Sequence, residues 1–197
     1  MSNFWNERYK NPEFVYGEVP NEFFREQIGR LPAGKLLLPC EGEGRNAVYA
    51  ARLGWDVTAF DFSEAGRDKA MALARKFGVT LQYDIADVAA YPFKFGRFDA
   101  VALIYCHFPP EIRESVHQKA AAALKPGGIL ILEAFHPRQI ANDSGGPQND
   151  AMLYDPEMLA LDFAQLSLER NETLETELQE GAYHAGKADI IRLVGRG

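Results

Sequence analysis

The chain has 197 residues, 47% of them hydrophobic and 25% charged, with 17 Gly, 11 Pro and a formal net charge of −7. That composition excludes disordered, collagen-like and disulfide-scaffold proteins, and a chain of this length buries roughly 70% of its unfolded surface, enough for a single core. Its 21 basic residues are spread among 28 acidic ones, which argues against the broad basic footprint of a nucleic-acid binder.

The first helix is predicted from Pro20 to about Arg30, where Phe23, Phe24, Gln27 and Ile28 form one stripe and Pro32 and Gly34 end it. Lys35 to Leu38 reads as a buried strand, followed by the turn Cys40-Glu41-Gly42-Glu43-Gly44 and a helix from Arg45 to about Leu53, stopped at Gly54. Trp55 to Phe60 is the second strand. Ser63 caps a helix from Glu64 to Phe77, closed by Gly78, and Val79 to Tyr83 is the third strand. Phe98 to Tyr105 is the fourth. Pro109-Pro110-Glu111 opens a helix ending before Lys125-Pro126-Gly127-Gly128, and Ile129 to Phe135 is the fifth strand. Periodicity then fails across His136 to Asp150, and loops that long in compact domains are usually functional or mobile. Asp155-Pro156-Glu157 restarts a helix. Leu166 to Leu178 and Ala188 to Val194 read as extended strands joined around Gly181 and Gly186, too close for a crossover and therefore antiparallel.

Alternating strands and helices predict an α/β fold: a Rossmann-like, doubly wound, mostly parallel seven-stranded sheet with an antiparallel C-terminal hairpin strand and helices on both faces. One domain spans residues 1–197. Within it, residues 1–30 form an N-terminal arm and helix covering a cofactor site, 136–163 an acceptor-side loop and helix, and 164–197 the strand pair.

Ligands of such sheets bind beyond the carboxyl ends of the strands. There the first turn, Gly42-Glu43-Gly44-Arg45-Asn46-Ala47, fits the glycine pattern that brings backbone close to a ligand. Asp61 ends the next strand at the roughly 20-residue offset at which a carboxylate meets the ribose hydroxyls of an adenosine. A pyrophosphate at this helix N-terminus would meet Glu41 and Glu43, whereas S-adenosylmethionine brings a sulfonium and an ammonium against a single carboxylate. The third strand ends in Asp84-Ile85-Ala86-Asp87, where an acidic side chain can accept from an adenine amino group.

With these residues in order, the sequence resembles the Rossmann-like S-adenosylmethionine-dependent methyltransferases, and among them the small tellurite-resistance and thiopurine methyltransferase-like branch. Gly42 to Asn46, Asp61, Asp84 to Asp87, Phe98-Asp99-Ala100-Val101 and Leu124 to Gly128 fall in that family's order and spacing. The segment Trp5-Asn6-Glu7-Arg8-Tyr9, with Tyr16-Gly17 and Pro20-Asn21, is similar to the part of that branch that folds over the cofactor. The family usually has an acidic residue at the Leu38 position, which helps hold the methionine ammonium, and a glycine at the Cys40 position; Glu41 or Glu43 is the candidate substitute for the lost carboxylate. The resemblance implies S-adenosylmethionine as cofactor, S-adenosylhomocysteine as product, and a cofactor site made of Trp5, Tyr16, Cys40, Glu41, Gly42, Glu43, Gly44, Arg45, Asn46, Asp61, Phe62, Ser63, Asp84, Ile85, Ala86, Asp87, Ile104 and Tyr105.

Methyl transfer from a sulfonium needs alignment of acceptor, methyl carbon and leaving sulfur, and a soft acceptor such as a thiolate or a metalloid oxyanion needs no base. For harder acceptors the candidate bases after the fourth and fifth strands are Tyr105, His107 and His136. His107-Phe108-Pro109-Pro110 has the wrong order for the amino-group methylases, which favours a small-molecule acceptor. Gly145-Gly146 are candidate hinges of a lid over it. Cys40 and Cys106 lack metal-ligand spacing and no metal is expected; the polar start of the chain and the lack of an apolar run of ~20 residues predict a cytoplasmic protein without a membrane partner, monomeric or homodimeric. Two other readings stand beside this one: a nicotinamide-dependent oxidoreductase using the same turn and Asp61, and a non-catalytic module that binds S-adenosylmethionine.

Overall fold

The computed structural model describes residues 2–197; Met1, within the predicted arm, lies outside them. Seven strands form one sheet in the order β3-β2-β1-β4-β5-β7-β6. These are β1 (Lys35–Pro39), β2 (Asp56–Asp61), β3 (Gln82–Ile85), β4 (Phe98–Ile104), β5 (Leu124–Phe135), β6 (Ser167–Gln179) and β7 (Ala185–Arg196). The first five are parallel, and β7 runs antiparallel to both β5 and β6. The predicted architecture, including the antiparallel C-terminal strand, is the one observed.

The helices are α1 (Ser2–Tyr9), α2 (Glu22–Ile28), α3 (Arg45–Arg52), α4 (Glu64–Lys76), α5 (Pro110–Ala122) and α6 (Pro156–Asp162). Alternation along the strands divides the core between two faces. Leu36, Leu38, Ala100, Ala102 and Ile131 pack under α2 and α3 through Phe23, Phe24, Ile28, Ala47 and Ala50. Leu37, Val101, Leu103, Leu130 and Leu132 face α5 and α6 through Val116, Ala120 and Leu159. A continuous apolar run such as Leu36-Leu37-Leu38 is what a strand covered on both faces needs.

The structure departs from the sequence reading at several places, among them β7, which runs over Ala185–Arg196 instead of Ala188 to Val194. The third strand starts at Gln82 instead of Val79, because Val79 closes the helix end by bonding to Ala74 O at 3.0 Å. The fifth strand starts at Leu124: Phe98 pairs with Leu124 and Ala100 with Ile129, so Lys125-Pro126-Gly127-Gly128 is a bulge within it, with Gly127 at φ +78°. The aperiodic stretch after β5 holds two short 3₁₀ turns, Pro137–Ala141 and Asp150–Met152. Strand order reverses between β1 and β4, which opens the crevice at their carboxyl ends.

Candidate functional site

A cavity of about 510 Å³ lies at that crevice. Its floor is formed by residues that end or follow four strands: Cys40 and Glu41 after β1, Asp61 and Phe62 at β2, Ile104 to His107 at β4, and Phe135 at β5. Its roof comes from Phe4, Trp5, Arg8 and Tyr9 of α1, Tyr16 beyond it, Gly146 to Gln148, and His184 in the β6–β7 connection.

Backbone strain gathers at this floor. Cys40 and Tyr105 are the two described non-glycine residues with positive φ, at +54° and +53°, and they follow the two strands that flank the reversal. A left-handed side-chain-bearing residue costs on the order of 1 kcal/mol or more and persists where surroundings over-determine it. Gly44, at φ +84°, carries the turn into α3; a Cβ there would stand 2.4 Å from Ala70 Cβ, so this glycine sets how closely α3 packs on α4.

The polar groups of the turn are tied to protein partners. Glu41 Oε1 accepts from the amides of Asn46 at 2.9 Å and Ala47 at 2.7 Å, and so caps α3. Burial pushes its carboxyl up to about 7, against the lowering effect of those hydrogen bonds. Glu43 accepts from Val15 N at 2.8 Å and pairs with Lys69 Nζ at 2.7 Å, fastening the segment between α1 and α2. Arg45 donates to Glu180 at 2.8 Å and to Tyr16 O at 3.2 Å, and Asn46 accepts from Asn21 N at 2.9 Å. Glu180 is held at about 2: burial raises it, and hydrogen bonds from His184 and Arg45 with the charge of Arg45 outweigh that.

Asp61 is buried at the end of β2, where it accepts from Gly42 N at 3.1 Å and Ser63 N at 2.9 Å. Burial raises its pKa against those bonds. A carboxylate has about four lone-pair sites, so two backbone bonds leave acceptor capacity on the cavity side. Ser63 is spent elsewhere: its hydroxyl caps α4 through Gly66 N and donates to Asn6 Oδ1 at 2.8 Å.

The cavity therefore brings together Trp5, Tyr16, Cys40, Glu41, Glu43, Arg45, Asn46, Asp61, Phe62, Ile104 and Tyr105 from the predicted cofactor set. Gly42, Gly44 and Ser63 shape its edge without lining it. Asp84, Ile85, Ala86 and Asp87 stand off the lining: Asp84 bonds Gln82 at 3.1 Å and Asp87 caps Ala89 N at 2.8 Å, while Val88 takes their place in the wall.

Of the three candidate bases, His107 lines the cavity with both nitrogens committed. Nδ1 meets Met152 O at 2.7 Å, so it carries the proton, and Nε2 accepts from Phe135 N at 3.2 Å. Burial drives its pKa down to about 4, leaving a neutral ring with no spare lone pair. His136 lies outside the lining, where Nδ1 accepts from Arg138 N at 3.2 Å. The Tyr105 ring lies 4.7 Å from Phe135 and 4.5 Å from His184; its hydroxyl is buried without a hydrogen-bond partner, and burial together with Glu133 and Glu180 pushes it well above the usual phenol range.

The site residues named from the sequence omit His184, Arg8, Tyr9, Phe135 and Met152, all of which line the wall; Arg8 and Tyr9 lie in the segment that the resemblance places over the cofactor, and Phe135 ends the predicted fifth strand. Nothing in local spacing points to His184 and Met152, because they reach the wall through long-range docking of the hairpin and the 3₁₀ turns. His184 faces Glu180 through Nδ1 at 3.4 Å and packs on Tyr16 and Tyr105, each at 4.5 Å between rings. Cys106 donates to Pro39 O at 3.2 Å, and the neighbouring Cys106 thiol together with burial holds the Cys40 thiol well above its usual range. No group of His, Cys, Asp and Glu suited to a metal ion occurs among the described residues.

Residues 38–128 match the family described as a methyltransferase domain. A probable thiol methyltransferase of Arabidopsis thaliana is 27% identical over 154 residues, 74% of this chain and 66% of that protein, so the chain spans just under two thirds of its relative's length. Among solved structures, the protein behind the conversion of a disulfide bond into a thioacetal group during echinomycin biosynthesis superposes with a TM-score of 0.77 at 17% identity, over 100% of this chain and 92% of that one. The magnesium protoporphyrin IX methyltransferase of Synechocystis, solved with bound S-adenosylhomocysteine, gives 0.72 at 16% identity over 99% and 96%. At such identities the two structures share the fold.

Proposed function

We propose that this chain, whose residues 38–128 match a methyltransferase domain, is a class I, Rossmann-like methyltransferase with S-adenosylmethionine as its cofactor, and that it methylates a small, soft nucleophile, of the thiol or metalloid-oxyanion kind, as in the tellurite-resistance and thiopurine-like branch. The observation that carries this reading is the make-up of the cavity wall: an acidic ribose anchor on one side, and on the other aromatic rings with no imidazole at β4 free to act as a base.

Asp61 is the residue we assign to the ribose hydroxyls, held in place by the amides of Gly42 and Ser63. Cys40, Glu41 and the Ile104-Tyr105 corner border the methionine end. The bound cofactor supplies an electrophilic methyl group on a sulfonium leaving group. Trp5, Tyr9 and Tyr16 exclude water from above, and Tyr105, Phe135, His107 and Met152 form an apolar seat for the acceptor. Positioning of this kind is worth ~7–11 kcal/mol, enough to drive transfer to a nucleophile that arrives with its own lone pair. The similarity to a plant protein described as a probable thiol methyltransferase supports the soft acceptor.

A dinucleotide fits this wall poorly. The α3 amides that a pyrophosphate would take, those of Asn46 and Ala47, are already given to Glu41. Isothermal titration separates the readings: S-adenosylhomocysteine is expected to bind and NADH is not. A screen of thiols, selenite, tellurite and thiopurines with methyl-labelled cofactor then tests turnover. Absence of transfer to every one, in a protein that binds the cofactor, would favour the non-catalytic module.

A further inference from the structure

Every charged side chain in the cavity wall except one is matched by a protein partner. Glu43 has Lys69, Arg45 has Glu180, Glu41 holds the α3 amides, and Asp61 holds two backbone amides. Arg8 is the exception. It lies in the roof, half-buried, and pairs with no carboxylate among the described residues. Among the described residues its one side-chain hydrogen bond runs from Nη1 to the Tyr16 hydroxyl at 3.1 Å.

The rest of its surroundings are aromatic. The guanidinium carbon lies 4.5 Å from the Phe4 ring, 5.5 Å from Trp5 and 4.5 Å from Tyr183. Rings hold the guanidinium plane by cation–π attraction and leave its in-plane N–H donors unspent. A guanidinium carries five such donors, and here a single bond uses one. The Tyr16 hydroxyl, accepting from Arg8, keeps its own hydrogen to donate.

We propose that Arg8, with Tyr16 beside it, is the anion receptor of this cavity and takes a carboxylate or comparable anionic group of the bound ligand. The inference rests on the methyltransferase reading for the identity of that ligand, and two sources carry the same chemistry: the cofactor's own carboxylate, or an anionic group on the acceptor. Each would leave Arg8 with a charge-assisted pair in a partly desolvated site, an interaction whose loss is worth roughly 10- to 100-fold in affinity. The adjacent Arg45 does not compete, since Glu180 and Tyr16 O occupy it.

The test uses the full chain and the variants Arg8→Gln and Arg8→Lys, with melting curves to show that each folds. Isothermal titration with S-adenosylhomocysteine is set against 5′-methylthioadenosine, which keeps adenosyl and sulfur but lacks the carboxylate. If the cofactor is the source, Arg8→Gln loses roughly 10- to 100-fold in affinity for S-adenosylhomocysteine and about none for methylthioadenosine, and Arg8→Lys recovers part of the loss. If the acceptor is the source, both adenosyl ligands bind as in wild type, and thermal stabilisation of the protein by thioglycolate, but not by neutral thioglycerol, disappears in Arg8→Gln. The inference is overturned if neither measurement depends on Arg8. Should wild type bind neither adenosyl ligand, the cofactor reading fails by itself, and the thioglycolate comparison still decides whether Arg8 receives an anion.

Discussion

The two sides of the cavity are built in opposite ways. The floor between Cys40 and Ser63 is a short stretch of chain whose polar groups are fastened to nearby backbone: Glu41 to the amides of Asn46 and Ala47, Asp61 to those of Gly42 and Ser63. The roof draws Trp5 and Arg8, Gly146 to Gln148, Met152 and His184 from segments far apart in sequence, and holds them largely by ring contacts. Local fastening makes the floor a preformed receptor. Long-range docking makes the roof the part whose shape depends on the whole fold.

The harshest way to break the floor is Gly44→Val. Left-handed φ at +84° and a Cβ that would meet Ala70 at 2.4 Å, with the Ala70 backbone 2.9 Å away, combine strain with overpacking. A loss of about 2–4 kcal/mol is expected, read as a fall in melting temperature of roughly 5–15 °C. A variant melting within ~1 °C of wild type would mean that α3 and α4 do not need this close approach.

The next test is a pH series. Glu41 titrates at about 7 when folded, well above its unfolded value, so between roughly pH 4.5 and 7 the folded chain holds a proton that the unfolded chain has lost. Stability should therefore fall as pH rises through that window, by on the order of 2–3 kcal/mol from this group. Glu41→Gln keeps an oxygen for the Asn46 and Ala47 amides and removes the titration. Chemical denaturation at pH 5 and pH 8 should show a smaller difference for the variant than for wild type, and equal differences would remove Glu41 as the cause.

The contrast between floor and roof also explains what could be read from the sequence. Strand order, the glycine turn, Asp61 at the second strand and the antiparallel end follow from periodicity and short spacings, because local backbone geometry dictates them. The Gly145-Gly146 loop was recognisable by its lack of periodicity. Asp84 to Asp87 are expected at the site from their place after the third strand, the acceptor chemistry of a carboxylate and the family resemblance; in the structure Asp84 bonds Gln82 and Asp87 accepts from Ala89 N. His107 looked available because an imidazole after β4 is well placed; its commitment to Met152 O and Phe135 N depends on a segment 45 residues away. His184 becomes a wall residue only once the hairpin docks, and no local pattern encodes that, whereas Arg8 comes with the arm that the family resemblance sets over the cofactor.

A milder change separates the ribose anchor from the anion receptor. Asp61→Asn keeps the shape and removes the charge, and should lower affinity for S-adenosylhomocysteine and methylthioadenosine alike by roughly 10- to 100-fold, or about 1.4–2.8 kcal/mol. Equal affinity for both ligands in wild type and variant would take the ribose from Asp61.

The smallest effect is expected at His107, and it bears on whether the acceptor side of the floor does chemistry or only shapes the seat. Asn at this position can donate to Met152 O as Nδ1 does, and it leaves Phe135 N without its acceptor, a loss of about 1–2 kcal/mol. Because neither ring nitrogen is free and the pKa lies near 4, methyl transfer by His107→Asn to a thiol acceptor should stay within ~10-fold of wild type, with the same pH profile above pH 6. A drop of ~10²-fold or more, the range of general-base catalysis, would show that the ring gives up one of its two bonds during the reaction. The acceptor side would then hold a base, and the soft, self-sufficient nucleophile would no longer be the natural substrate for this cavity.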